Sequence, residues 1–219
     1  MNTWSTPETV AGFVRSSPNQ TLVAFAAAER LRGGTCVLDI GCGAARNAVP
    51  LARQGWQVIG TDTSWPMLAA AVERARLEAP GAPLLFTAAP MDQLPLPARC
   101  ADLIVAHGIW NLARSAVEFR AAIREAARVA RPGAALFLFT FSRHTLPADV
   151  RPVPDEPFVF TEFSGAPQCF LTAEQIGTEM ADGGFAPDPA LPLHELNRPA
   201  GALRAGSGPV IFEGAFRRS

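Results

Sequence analysis

Apolar residues fall into short unbroken runs, and the stretches between them carry helical spacing. The runs at 36–40, 84–87, 101–106 and 134–141, with the shorter one at 58–60, suit strands buried on both faces of a parallel sheet. Residues 45–54 between the first two runs have helical character. Residues 64–78 place Pro66 in a first helical turn, with Met67, Leu68, Ala71 and Val72 on one face, and Pro80-Gly81 ends the helix. Ser115 and Glu118 have capping-box spacing and start a helix to about residue 129, which Arg131-Pro132-Gly133 stops. Strand and helix alternate, so the chain predicts an α/β fold with a parallel sheet and right-handed crossovers.

Two helices precede the first strand. One occupies 5–14, with Pro7 in its first turn; the other occupies 19–31 and ends at Gly33-Gly34. Together, residues 1–34 read as a helical cap, with Phe13 expected to pack on the core and Trp4 left undecided. Beyond residue 142 the alternation lapses. Residues 143–170 mix five prolines with Phe158, Phe160, Phe163 and Phe170, which suggests a lid over a binding site, or one packed on the core. Thr172 and Gln175 open another helix. Runs near 191–196 and 209–216 have no helix between them, so they should pair antiparallel across a long loop.

The 219 residues suffice for one domain, 1–219, with a substantial core. A formal charge of −1 gives no electrostatic case for nucleic acid or an anionic membrane. All 19 basic residues are arginine and tyrosine is absent, which excludes Schiff-base lysines and tyrosine acids. The four cysteines form no C-x-x-C pair, so no metal site is expected, and Cys36 reads as buried filler. The first ten residues lack a signal-peptide pattern, and the apolar run 22–28 is far short of the ~20 residues a span needs. A cytoplasmic protein is the expectation; the oligomeric state stays open.

Candidate chemistry concentrates at 35–64. A strand turns through Gly41-Cys42-Gly43 into a helix, and the second strand ends at Asp62, the first half of a doubly wound nucleotide-binding sheet. A dinucleotide-binding turn wants its third glycine where Arg46 stands. Asp39, two places before Gly41, would also repel a pyrophosphate. Both residues favour a cationic, phosphate-free ligand, such as one with an ammonium, a sulfonium, a ribose and an adenine.

The run Asp39-Ile40-Gly41-Cys42-Gly43, with Asp62-Thr63-Ser64 and Met67 after it, resembles the class I S-adenosylmethionine-dependent methyltransferases. Met91-Asp92-Gln93-Leu94-Pro95 and Arg131-Pro132-Gly133 fit the same family. The resemblance implies a Rossmann-like, mostly parallel seven-stranded sheet with a C-terminal antiparallel strand and helices on both faces. It implies S-adenosylmethionine as cofactor and S-adenosylhomocysteine as product. Asp39 with Gly41, Cys42 and Gly43 would hold the methionine end, Asp62 the ribose hydroxyls, Thr63 and Met67 the adenine, and Met91 and Asp92 its ring edge. Core packing is the plain alternative for both methionines, and helix capping for Asp62. Arg46 either salt-bridges outward or reaches the cofactor carboxylate.

Methyl transfer from a sulfonium needs alignment first, and a base only when the acceptor must lose a proton. His107, after the fourth strand, is the candidate base or a cofactor or acceptor contact, with simple hydrogen bonding equally open. Trp110 could stack on an acceptor or pack inside; Asn111 could touch substrate or fix the turn. Arg143 and His144 are further acceptor-binding candidates. The expected acceptor is a small organic molecule. A non-catalytic cofactor-binding or scaffold protein is the alternative, and an NAD-dependent oxidoreductase is disfavoured by Asp39 and Arg46.

Overall fold

The computed structural model describes residues 3–198 and 208–219. Two helices come first, α1 (Pro7–Arg15) and α2 (Gln20–Leu31), capped by the side chains of Thr6 and Asn19. The alternating unit then runs β1 (Cys36–Ile40), α3 (Ala48–Arg53), β2 (Gln57–Asp62), α4 (Trp65–Glu78), β3 (Leu84–Ala88), β4 (Ala101–His107), α5 (Ala116–Val129) and β5 (Ala130–Phe141). A short hairpin of β6 (Val159–Phe160) and β7 (Gln168–Cys169) follows, then α6 (Ala173–Asp182), β8 (Phe185–Pro187), β9 (His194–Leu196) and β10 (Ile211–Arg218).

Strand order in the main sheet is β3-β2-β1-β4-β5-β10-β8, parallel through β5, with β10 antiparallel to β5. The expected seven-position sheet is present. Its last position is shared by two short strands, because β8 and β9 both pair antiparallel with β10. β8 escaped the sequence reading, since three residues ending in proline give no alternation to detect. The long connection before β10 crosses 199–207, outside the described residues.

Successive side chains leave a strand on opposite faces, and the core divides accordingly. Leu38, Ile104, Leu136 and Leu138 join α5 and α6 on one side. Val37, Leu103, Val105 and Phe137 join α2 and α3 on the other. Central strands apolar at nearly every position therefore fill two cores. Cys36, expected as buried filler, is only half-buried at the start of β1.

Both anticipated helix boxes form, one of them altered. Thr172 and Gln175 make a full reciprocal capping box on α6. At α5 the Ser115 hydroxyl accepts from the Glu118 amide, but the Glu118 carboxylate accepts from the Arg114 amide, one residue further back.

Residues 143–170 form no open lid. Phe158, Val159, Phe160, Cys169, Phe170 and Leu171 are buried, and Phe158 meets Phe119 of α5 edge-on at 5.3 Å. The Arg143 guanidinium lies 4.9 Å from the Phe160 ring centre and donates to the carbonyls of Leu146, Pro147 and Val150. Burying these rings offsets the ordering cost of a proline-rich segment.

Candidate active site

Strand order changes direction between β1 and β4, and a crevice opens at their carboxyl ends, where open α/β sheets bind ligands. A cavity of about 200 Å³ occupies this place. Gly41, Gly43 and Arg46 of the first turn, Asp62 and Thr63 after β2, and Met67 of α4 form one side of it. His107 at the end of β4 with Gly108, Ile109 and Leu112 after it form another, and Phe139 of β5 a third. Trp4 and Phe13 approach from the N-terminal segment.

The turn after β1 is tight for an identifiable reason. Gly41, Gly43 and Ala45 all have positive φ, 68°, 52° and 59°. A third left-handed position falls on Ala45, one residue before Arg46. A Cβ on Gly41 would come within 2.7 Å of the Ile109 side chain, and one on Gly43 within 3.2 Å of the Phe13 ring. Gly41→Ala is expected to cost about 1–3 kcal/mol of stability through left-handed strain and displacement of Ile109. Urea unfolding measures it, and a variant as stable as the parent would contradict this packing.

A buried acid, Asp39, and a half-buried cation, Arg46, flank the turn. Asp39 is 2% exposed, and its Oδ2 has no hydrogen-bond partner. Burial raises its pKa to about 7; the nearby Arg46 opposes that rise and Asp62 adds to it. Asp39 is set back from the cavity walls. Arg46 points inward, which removes the outward salt bridge from its two readings. Its Nη2 lies 3.1 Å from His107 Nδ1, its guanidinium carbon 6.0 Å from the Phe13 ring centre, and burial pulls its pKa down. Among the described residues it has no carboxylate partner within salt-bridge distance.

Asp62 does two jobs in the backbone. Its Oδ2 accepts from the Gly43 amide at 2.9 Å and its Oδ1 from the Ser64 amide at 2.8 Å, while the residue still lines the cavity. Ser64 itself caps α4, and its hydroxyl reaches the carbonyl of Trp4. Thr63 and Met67 are cavity walls. Met91 instead packs in the core with Leu38 and Leu94, and neither it nor Asp92 is a wall. Cys42 is buried beside Gly60, also off the wall.

His107, the candidate base, lines the cavity among ring and nitrogen contacts. Its ring stacks on Phe139 with centroids 4.1 Å apart, Nδ1 faces Arg46, and Nε2 lies 3.2 Å from the Asn19 amide nitrogen. A neutral imidazole has one lone-pair nitrogen, so His107 accepts from one of these two donors, according to its tautomer. Burial, with the Arg46 charge, pushes the pKa down to about 3. A group this reluctant to hold a proton is a poor general base near neutrality.

Four acceptor-contact candidates lie elsewhere. Trp110 is fully buried against Phe119, with ring centroids 6.2 Å apart, and Asn111 is 2% exposed. Both lie in a 3₁₀ turn, Trp110–Leu112, where positions three apart share a face. Ile109 and Leu112 therefore take the cavity side, and Trp110 and Asn111 turn inward. The Arg143 guanidinium is engaged by loop carbonyls, and His144 Nδ1 lies 2.7 Å from Glu195. No residue of 143–170 lines this cavity.

Residues 37–133 match the family model described as a methyltransferase domain. The chain is 28% identical over 198 residues to a demethylmenaquinone methyltransferase of Mycobacterium marinum, covering 83% of this chain and 79% of that protein. A demethylmenaquinone methyltransferase of Corynebacterium glutamicum is 32% identical over 118 residues, 53% of this chain and 46% of that one. Among solved structures, 1,6-didemethyltoxoflavin-N1-methyltransferase of Burkholderia thailandensis, with its substrate and S-adenosylhomocysteine bound, superposes with a TM-score of 0.67. It is 17% identical, covering 92% of this chain and 80% of that one, and so speaks to fold. Residues 37–133 thus carry the pattern of a methyltransferase domain, and the fold is that of the S-adenosylmethionine-dependent methyltransferases. The matched domain and these relatives make the chain a methyltransferase.

Proposed function

We propose that the cavity between β1 and β4 is where S-adenosylmethionine and a small organic acceptor meet, with the residues around the glycine turn holding the cofactor. The observation that carries this reading is a buried carboxyl with an orphaned oxygen, Asp39, beside the half-buried Arg46, which among the described residues has no carboxylate within salt-bridge distance. An α-amino acid group supplies an ammonium for the first and a carboxylate for the second. Gly41 and Gly43 let that group approach the backbone closely. Asp62, braced by two amides and still facing the cavity, has lone pairs left for ribose hydroxyls. Thr63 and Met67 are placed for the adenine.

The bound cofactor supplies an electrophilic methyl group on a sulfonium. The residues named here hold it in line with the acceptor, and orientation of this kind contributes up to ~7–11 kcal/mol. His107 acts as a neutral wall and hydrogen-bond acceptor. Residues 1–34 serve as a cap through Trp4 and Phe13. A cytoplasmic location is part of this proposal, supported by four cysteines outside any disulfide; among the described residues no helix is long and apolar enough to cross a membrane. The charge of −1 supports a small-molecule partner over nucleic acid. The relatives' names make demethylmenaquinone the first acceptor to try.

Calorimetry with S-adenosylhomocysteine and with NAD tests the placement. Binding of the sulfur nucleoside alone is expected; tight NAD binding without it would sink the reading. Asp62→Ala should weaken S-adenosylhomocysteine binding by about 1–3 kcal/mol, as loss of hydrogen bonds to a charged group does. Unchanged affinity would remove Asp62 from the site.

A further inference from the structure

With the cofactor placed as proposed, the walls left for an acceptor are Phe13, Ile109, Leu112 and Phe139, with His107 at their polar corner. Among the described residues, the ionisable side chains lining the cavity are Arg46, Asp62 and His107. None is a free proton acceptor. Arg46 is a cation. Asp62 holds the Gly43 and Ser64 amides and, in the placement above, the ribose hydroxyls. His107 has Arg46 Nη2 at 3.1 Å on one ring nitrogen, Asn19 Nδ2 at 3.2 Å on the other, and Phe139 against its face. Of the groups packed around it, Glu213 is held by the Asn19 side-chain amide at 2.6 Å, and His194 lies 3.8 Å from Glu213.

Building on the cofactor placement above, we infer that the acceptor is an apolar aromatic compound whose own hydroxyl or thiol is already deprotonated when it enters the cavity. The ionised oxygen or sulfur uses a lone pair to form the new bond to the methyl carbon. The carbon–sulfur bond of the sulfonium breaks, and its electron pair returns to sulfur as a neutral thioether. The acceptor's proton has gone to bulk water beforehand, so the step needs no protein base. Charge favours an anion over an amine here. An anion and a sulfonium become two neutral products, which suits a cavity walled by aromatic and aliphatic side chains. An amine acceptor would instead leave a new cation beside Arg46 with no unengaged carboxylate among the lining residues.

The test uses the full chain with S-adenosylmethionine held saturating at every pH, and 2-naphthols of graded acidity, the matching naphthalenethiols and the matching naphthylamines. Release of S-adenosylhomocysteine is followed from about pH 5 to about pH 9. The expected result is turnover of naphthols, thiols or both, with kcat/KM rising about tenfold per pH unit up to a break. That break should move from compound to compound with the acceptor's own acidity. Whether the naphthol or the thiol arm turns over tells oxygen from sulfur. A break at one pH for every acceptor would reveal a protein base and overturn the inference, as would naphthylamines methylated equally fast, or no methylation of either acidic series. S-adenosylhomocysteine calorimetry on the same sample separates the two levels: if it fails to bind, the cofactor placement falls and the inference with it.

Discussion

Asp39→Asn stabilises the ligand-free protein above pH 7 and, in the same variant, weakens S-adenosylhomocysteine binding about 10- to 100-fold; this is the expected result, and both halves follow from one buried carboxyl. Asp39 is held at a pKa of about 7 against an ordinary value of 3.8, mainly by burial. The folded chain therefore keeps a proton that the unfolded chain has lost between about pH 4 and about pH 7. Stability falls as pH rises through that window, by about 1.4 kcal/mol per unit, and the penalty is fully present above it. Asparagine has no proton to lose and escapes the penalty. Thermal unfolding across pH should show the variant's advantage growing from about pH 4 and levelling off near pH 7. Binding turns the sign round. A ligand ammonium against Oδ2 favours the ionised carboxyl, so the parent's affinity should fall by up to about tenfold per unit as pH drops below about 7, with protons released on binding near neutrality. The variant should show neither effect. An Asp39→Asn protein that binds as tightly as the parent, or that gains no stability at high pH, would show that Asp39 does not face the ligand charge.

The frame of this site was legible in the sequence because it rests on backbone-level signals. Unbroken apolar runs located β1, β4 and β5, and the two glycines and Asp62 marked the turn and the strand end beside it. What lay outside was decided by side-chain direction and tertiary contact. Nothing in the run after β4 says that a 3₁₀ turn begins there, yet that turn decides that Ile109 and Leu112 face the cavity while Trp110 and Asn111 do not. The inward aim of Arg46 depends on His107, sixty-one positions away, and on Phe13 in a helix that precedes the sheet. The aromatic segment 143–170 had a composition equally suited to a lid or to a packed layer, and only the fit of Phe158 against Phe119 distinguishes them. Proline content marked that segment as irregular; it could not say whether the irregular backbone was buried.

The largest loss of stability is expected at Arg217, far from the chemistry yet joined to it through α2. Its guanidinium donates to both oxygens of Glu29 on α2, at 2.8 and 3.0 Å, and to Asp188 in the break between β8 and β9. Glu29 and Asp188 are 5% and 3% exposed, so Arg217→Met would leave two carboxylates in the interior, with only the largely exposed Arg32 still paired to Glu29. Removing one partner of a buried pair costs about 3–5 kcal/mol, far more than an exposed pair. Urea unfolding should show the midpoint drop with the slope unchanged. The effect belongs to stranded charge, not to lost contacts, and a second variant shows which. Arg217→Met combined with Glu29→Gln and Asp188→Asn removes every charge of the triad and should recover most of the loss. The same clamp holds α2, whose first capping residue, Asn19, reaches both Glu213 and His107. Arg217→Met should therefore also loosen S-adenosylhomocysteine binding, and the triple variant should restore it together with stability. A single variant that unfolds at the parent's midpoint would show that Glu29 and Asp188 find other partners, and the tie between this edge of the sheet and the cavity would not hold.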